Sequence, residues 1–192
     1  MPTRVALCKV SVVGDNPAPF SDPIVVKVVL EIFECPPMHE IDVKFTWKPI
    51  WDFPVDQELD EFEVGPLTTV GKHELLLQSD PPNVSEIPDP TGPTALIISF
   101  SYRGQQFLHI GYNAVVTCEG EIPDVFEDAT LLRRNLTQSF PKETAIAWDD
   151  KREKDKAAER CSDLGSGTPS ENSSTASRDD DELQPKKRNK CE

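Results

Sequence analysis

Two stretches of the chain alternate apolar and polar side chains with the period of a β-strand. Val26, Val28 and Leu30 occupy every second position of one stretch, and residues 42–47 read Asp-Val-Lys-Phe-Thr-Trp. Because successive side chains of a strand point to opposite faces of a sheet, this pattern predicts strands with one face on a core. Most of the 18 prolines fall between such stretches, where they end strands and protect sheet edges. The chain is therefore predicted to be all-β.

The remaining candidate strands are short and evenly spaced, which favours an antiparallel β-sandwich of immunoglobulin-like type. They are residues 5–13, 59–64, 73–78, 94–102 and 105–116, with a final edge strand over 144–148. Arg103-Gly104 predicts a tight hairpin between two of them, since glycine tolerates the positive φ of a primed turn. Leu132 and Leu136, four residues apart, predict one short helix over residues 131–136.

Acidic and basic residues are unevenly distributed along the chain. Residues 1–150 contain 24 Asp and Glu against 10 Lys and Arg, whereas residues 151–192 contain ten of each. The second segment is also rich in Ser, Thr and Gly, so it cannot bury enough apolar surface to offset its chain entropy. We therefore predict one folded domain over 1–150 and a disordered, charged and Ser-rich tail over 151–192.

The acidic domain restricts the classes of partner. A net charge of −14 attracts basic proteins and repels nucleic acid, whose binding depends on Lys and Arg at the phosphates. Solubility alone is an alternative reason for the acidity. No apolar run approaches the ~20 residues that span a bilayer, so no membrane partner is expected. Five cysteines without CxxC spacing fit free thiols in a reducing compartment, cytosolic or nuclear.

Motifs that carry enzymatic chemistry are missing from the sequence. It has no nucleophile elbow, phosphate-binding loop, HExxH or dinucleotide fingerprint, and its histidines are scattered at His39, His73 and His109. The carboxylates between Asp56 and Glu63 lack the glycine and the spacing of a calcium loop. We therefore expect no enzymatic activity, no cofactor and no metal site.

A series of short motifs runs in order over nearly all of residues 5–150. They are Asp15-Asn16-Pro17-Ala18-Pro19-Phe20, Phe33-Glu34-Cys35, Val64-Gly65-Pro66, Gly71-Lys72-His73, Gln78-Ser79-Asp80, Pro82-Asn83, Ile87-Pro88-Asp89, Tyr102-Arg103-Gly104-Gln105, Gly111-Tyr112, Arg134-Asn135-Leu136 and Trp148-Asp149-Asp150. Together they resemble the anti-silencing function histone chaperone family. The resemblance implies an immunoglobulin-like domain that binds a histone H3–H4 dimer and hands it over in nucleosome assembly and disassembly.

The resemblance also implies a set of contacts to histone H3. A concave face around residue 95 would grip the C-terminal helix of H3 on an apolar floor, with acidic contacts on its rim. The corresponding residues are Asp56, Asp89, Pro93, Ala95, Ile97, His109 and Asn113. Without the resemblance, Pro93, Ala95 and Ile97 are one face of an ordinary strand, and Asp89 caps a turn.

Two further sites follow from the same resemblance. The predicted last strand, with Tyr112 behind it, would pair with the C-terminal tail of histone H4 through Thr144, Ala145 and Ile146. On the other side of the sandwich, a groove would dock short basic motifs of deposition chaperones. Its residues are Asp42, Lys44, Phe62 and Val64.

The sequence departs from the family pattern on the expected H3 face. A valine is usual at the position of Ala95, and the loss of two methyl-sized groups costs about 1.6 kcal/mol. Arginine and tyrosine are usual at the positions of His109 and Asn113. These changes leave an alternative open, a diverged immunoglobulin-like adaptor for a basic peptide of another chromatin factor without strong histone binding.

The remaining expectations concern the cellular compartment, the oligomeric state and one further alternative class of protein. A basic run at residues 186–190 favours nuclear import, with shuttling to the cytoplasm, and the domain is expected to be a monomer. A lipid-carrying β-sandwich is a further alternative, and it would require an apolar cavity between the sheets.

Overall fold

The computed structural model describes residues 4–49, 56–123, 126 and 128–149. They form nine strands and a 3₁₀ turn at Val84–Glu86. The strands are β1 (Arg4–Val12), β2 (Ala18–Pro19), β3 (Ile24–Phe33), β4 (Ile41–Pro49), β5 (Gln57–Val64), β6 (Gly71–Ser79), β7 (Gly92–Tyr102), β8 (Gln105–Cys118) and β9 (Leu132–Glu143). The predicted tail, residues 151–192, lies outside the described residues, so its disorder and the domain boundary stay predictions.

The strands form two antiparallel sheets of unequal width. The smaller sheet has the order β1-β3-β6, and the larger has the order β2-β9-β8-β7-β4-β5. Their inner faces enclose a shared hydrophobic core. The prediction of an all-β, immunoglobulin-like antiparallel sandwich is therefore confirmed.

The core comes from strict alternation along the central strands. In β3, β4 and β7 every second side chain is buried, including Val28, Phe45 and Leu96, each fully inaccessible. The intervening side chains point away from the core, so half of each strand is available for other roles. The predicted face of Val26, Val28 and Leu30 is confirmed.

The predicted hairpin joins β7 to β8. Arg103 and Gly104 both have positive φ, +50° and +75°, which is the conformation of a type I′ turn. The turn pairs Tyr102 with Gln105, and a register shift between Phe100 and Ser101 then brings Ile98 opposite Ile110. The strands β7 and β8 thereby lie side by side at the centre of the large sheet.

The predicted helix over 131–136 is wrong, because β9 begins at Leu132. Leu132, Arg134 and Leu136 are buried at alternating positions and lie opposite Cys118, Val116 and Ala114 of β8. A spacing of four fits a strand as well as a helix, and the arginine between the leucines hides the period of two. Its guanidinium donates to the carbonyl oxygens of Phe20, Asp22 and Pro23 (3.2, 3.1 and 3.4 Å), which satisfies the buried cation.

The predicted edge strand over 144–148 is also wrong, since β9 ends at Glu143 and the following residues are irregular. One backbone hydrogen bond and several ring contacts hold this segment without a ladder. The Thr144 N–H donates to the Phe107 carbonyl (2.8 Å), and the ring of Trp148 lies 5.1 Å from that of Phe107 and 5.0 Å from that of Tyr102. Ring packing rather than strand pairing therefore attaches the end of the described chain.

A buried carboxylate completes that attachment. Asp149 accepts a hydrogen bond from the Tyr102 hydroxyl (2.5 Å) and another from the Met38 N–H (2.8 Å). The same hydroxyl accepts from the N–H groups of Met38 and His39 (3.1 and 3.3 Å). Burial, followed by the bond to Asp149, raises the pKa of Tyr102 to about 12.

Tyr102→Phe should lower the free energy of unfolding at pH 7 by about 1.5–3 kcal/mol, since it leaves a buried carboxylate short of a donor. In the wild type, stability should also fall between pH 10 and 12, where the unfolded chain loses the phenol proton and the folded chain keeps it. Urea unfolding across this range measures both effects, and the decline should be shallower in the variant. Tyr112→Phe is the control, because that hydroxyl has no hydrogen-bond partner of ordinary geometry among the described residues. An equal cost for the two variants would contradict the role of Asp149.

Candidate functional site: the outward face of the large sheet

The outward side of β7 carries the predicted apolar floor. Pro93 is exposed and Ala95 and Ile97 are half-buried, and they alternate with the buried Thr94, Leu96 and Ile98. The small sheet covers the opposite side of β7, so this side is free of protein contacts from the second layer. Pro93, Ala95 and Ile97 therefore do lie on one side of a strand, as predicted.

The register of the neighbouring strands arranges the outward side chains in rows. One row contains Lys48, Ala95 and Asn113; the next contains Thr46, Ile97, Gly111 and Phe140; a third contains Lys44, Ser99, His109 and Lys142. We call these residues, together with Pro93, the outward face. The structure thus brings five of the seven predicted H3 contacts, those on β7 and β8, onto one surface.

Two of the outward rows end in ion pairs with the acidic edge strand. Lys48 Nζ lies 2.5 Å from Asp56 Oδ2, just before β5, and Lys44 forms an ion pair with Glu58. The bond to Glu58 raises the pKa of Lys44. Asp56, the sixth predicted contact, therefore borders the face but is already paired with a cation of the same protein.

Asp89 is the seventh predicted contact, and it lies in the loop before β7. Its carboxylate accepts from the backbone N–H of Thr91 (3.0 Å) and from its hydroxyl (2.6 Å). This is the geometry of an Asx turn, in which an acidic side chain closes a tight bend. The turn interpretation of Asp89 is therefore confirmed, and its contact with a partner stays a prediction.

His109 and Asn113 occupy different environments on the outward face. His109 is half-buried between Ser99 and Lys142, whereas Asn113 is exposed. Asn113 lies where the β8–β9 register shifts, and its carbonyl accepts a hydrogen bond from the Thr137 hydroxyl (3.1 Å). The Asn113 side chain remains available to a partner.

The predicted H4-contact residues do not form one site. Tyr112 is buried opposite Ser139, and burial raises its pKa while the Ser139 hydroxyl lowers it by less. Thr144, Ala145 and Ile146 instead line an open cavity of about 390 Å³ with Arg4, Val5, Phe107, Glu143 and Trp148. This cavity lies between the start of β1 and the segment that follows β9.

The outer edge of β9 lies beside that cavity, and at its end Glu143 accepts a hydrogen bond from the Leu7 N–H of β1 (2.7 Å). The two-residue β2 pairs only with Arg133 and Arg134, and Asn16 exchanges two hydrogen bonds with the backbone of Leu136 (2.6 and 2.9 Å). Within the described residues, no strand pairs with this edge from Thr137 to Glu143. Pro141 in this stretch is typical of an edge strand, since it lacks the N–H that an inner strand needs.

The four predicted groove residues lie on opposite sides of the β4–β5 pair. Asp42 and Lys44 point outward, whereas Phe62 and Val64 lie opposite the buried Val43 and Ile41 and point toward the core. Phe62 stacks on Phe45 with ring centroids 6.1 Å apart and remains half-buried at the sheet edge. A ligand that touches all four residues would have to wrap around the edge of β5.

Sequence reasoning missed six members of the outward face, and it assigned Lys44 to a different site. The six are Thr46, Lys48, Ser99, Gly111, Phe140 and Lys142. The alternation of residues 42–47 does indicate that Thr46 points away from the core, but not which strand lies beside it. Phe140, 48% exposed, was hidden because the start of β9 was predicted as a helix. Among the described residues, we find neither a cluster of His, Cys, Asp and Glu fit to hold a metal nor a helix capable of spanning a membrane.

Comparison with known proteins identifies the relatives of this fold. A family model described as "ASF1 like histone chaperone" matches residues 2–149. The chain is 35% identical over 153 residues to "Histone chaperone asf1a-B" of Xenopus laevis, with 72% of each chain covered. It is 34% identical over 180 residues to "Histone chaperone ASF1B" of Homo sapiens, with 86% of each chain covered. The chain therefore belongs to the ASF1-like histone chaperone family.

Proposed function

We propose that this protein is a histone chaperone that binds an H3–H4 dimer through its outward face and passes it on in nucleosome assembly and disassembly. Membership of a histone chaperone family, which is not enzymatic, is the observation that carries the proposal. It makes histones the partner class and gives the protein a role in the nucleus. The choice of the H3–H4 dimer, and of nucleosome assembly as the step, comes from the resemblance and the residues below.

The outward face has the dimensions to receive one helix. Neighbouring strands are about 4.8 Å apart, so β4, β7 and β8 together span about 10 Å, the diameter of an α-helix with its side chains. The central row, Thr46, Ile97, Gly111 and Phe140, carries no charge. A helix of H3 would bury this row and Pro93, and contact His109 and Asn113 at the β8 side.

Acidic residues attract the histone and form the border of the outward face. The net charge of −14 and the carboxylates of β5 attract a basic histone and raise its rate of encounter. Asp56 and Asp89 are the proposed acidic contacts at the border of the face. The chaperone would thereby compete with DNA and with a second histone dimer for the same H3 surface.

The H4 tail would bind at the edge of β9 rather than at a strand over 144–148. An extended peptide can add to the unpaired edge between Thr137 and Glu143 through main-chain hydrogen bonds. The adjoining cavity offers apolar walls from Phe107, Ile146 and Trp148 for one side chain. Thr144 and Ala145 would contact that side chain, and the buried ring of Tyr112 would support the sheet behind it.

Deposition chaperones would bind at the other edge of the large sheet. The half-buried Phe62 and Val64 present apolar surface there, while Asp42 on the outward side offers a carboxylate to a basic motif. Lys44 lies between Asp42 and Glu58, and Lys44 forms its ion pair with Glu58. A histone held on β7 and β8 and a basic motif held on the β5 edge would be bound together, as a handover requires.

One observation favours the diverged adaptor as a second candidate. Two lysines of β4 pair with Asp56 and Glu58, which makes the border of the outward face less acidic. Ala95 also offers less apolar contact area than the valine that is usual at this position. In that case the groove at Phe62 and Val64 would bind its basic peptide while the outward face would not bind histones.

Ala95→Arg should weaken H3–H4 binding at least ~100-fold, because docking would bury an unpaired charge in the middle of the face. The measurement is isothermal titration of the full chain with refolded H3–H4. Ala6→Arg is the matched control, an outward alanine on β1 of the small sheet, and should keep wild-type affinity. Both variants should unfold within about 0.5–1 kcal/mol of the wild type. Unchanged binding by Ala95→Arg would place the H3 contact elsewhere.

The salt dependence of the same titration separates the two candidate functions. Apolar contacts on the outward face should hold the change in Kd below about tenfold between 0.15 M and 1 M salt, since salt screens exposed charges but not buried apolar surface. A loss of binding at high salt would leave only attraction between an acidic and a basic protein, and would favour the adaptor.

Ile146→Lys should weaken binding of the intact H3–H4 dimer about tenfold, because it places a charge in the cavity beside β9. A dimer whose H4 C-terminal tail has been removed should bind the variant and the wild type equally. A similar loss with both dimers would show that Ile146 does not contact the H4 tail.

A further inference from the structure

A lysine lies at the corner of the outward face, directly beside its floor. Lys48 is opposite Ala95 in the β4–β7 register, and Asn113 flanks Ala95 on the other side. No charged residue occupies the neighbouring row of Thr46, Ile97 and Gly111. A helix that lies over β4, β7 and β8 would therefore cover both Ala95 and the Lys48 side chain.

The register of β4 and β5 gives Lys48 its partner. The last paired residues of this hairpin are Trp47 and Gln57, so Lys48 and Asp56 are the next residues on the two strands. Lys48 Nζ lies 2.5 Å from Asp56 Oδ2, and the two side chains are 43% and 46% exposed. The pair is thus part of the surface of the free protein, at the border of the face.

We propose that Lys48 is a specificity-determining residue, which neutralises Asp56 and selects a partner helix with an uncharged or acidic side chain at this corner. The inference rests on the proposed histone function and narrows the contribution of Asp56 to it. A Lys or Arg of the partner placed here would approach Lys48 as a like charge and compete with it for one carboxylate. An Asp, Glu or neutral residue would meet neither penalty.

The docked complex is where this selection takes effect. An exposed ion pair adds little to the stability of a free protein, because water screens both charges. A helix laid over Ala95 excludes water from the corner, and the interactions of Lys48 and Asp56 with the partner then strengthen. The ion pair therefore acts on the choice of partner more than on the fold.

The chain provides a matched ion pair away from the outward face. Lys27 and Glu74 lie on the outer side of the small sheet, 2.7 Å apart, and are 37% and 60% exposed. Lys27→Ala changes the net charge by the same amount as Lys48→Ala. Comparing the Kd values of these two variants therefore cancels the effect of the general attraction between an acidic and a basic protein.

A double-mutant cycle on the full chain, titrated with refolded H3–H4 at 0.15 M salt, tests the proposal. In the wild type, Asp56→Ala should change Kd less than about twofold, because Lys48 already occupies that carboxylate. Lys48→Ala should tighten binding about fivefold relative to Lys27→Ala. In the Lys48→Ala background, Asp56→Ala should then weaken binding at least about fivefold.

Two results would overturn the inference alone. They are a loss of fivefold or more from Asp56→Ala in the wild type, and equal affinities for Lys48→Ala and Lys27→Ala. If neither the wild type nor any variant binds H3–H4, both the proposed function and this inference are wrong. A further titration identifies the H3 residue at this corner. Each basic residue of the H3 helix is replaced by glutamate in turn, and one of these histone variants should bind more tightly than unmodified H3–H4 only when Lys48 is present.

Discussion

Burial of one side of β7 is the constraint on which the outward face depends. Leu96, Ile98 and Phe100 pack into the core between the sheets and are fully inaccessible, which fixes the direction of every side chain between them. The small sheet has three strands and covers only one side of the large one. Ala95 and Ile97, although half-buried, therefore point toward a partner because their neighbours in sequence point into the core.

The acidic residues and the side chains that would fit a partner lie on different parts of the surface. The surplus of acidic residues belongs to the domain as a whole, whereas the outward face has lysines in the two rows that flank its uncharged row. Long-range attraction and short-range fit thus come from different parts of the surface. A histone would be drawn in by the many carboxylates and then selected by a few neutral and basic side chains.

Much of the fold could be predicted from the sequence, because alternation along a strand is a local property. Ile24–Phe33 and the Arg103-Gly104 turn follow from period and turn chemistry alone. The errors arise where contacts with residues distant in sequence determine the local structure. Arg134 is buried because carbonyl oxygens from residues 20–23 accept its hydrogen bonds, and residues 144–148 are held by aromatic rings. Ala95 and Ile97 could be placed on one face by spacing, with the family resemblance indicating its role. Lys48 could not, because its proximity depends on β4 lying beside β7.

The bond between Tyr102 and Asp149 separates two ends of the large sheet. It fixes the last described residue beside the β7–β8 hairpin. Lys48, near the other end of β7, is seven residues from Tyr102 in the β7 register, about 24 Å along the strand. This distance exceeds the Debye length of about 8 Å at physiological salt, so charges at the hairpin end and at the corner occupied by Lys48 act on a partner independently.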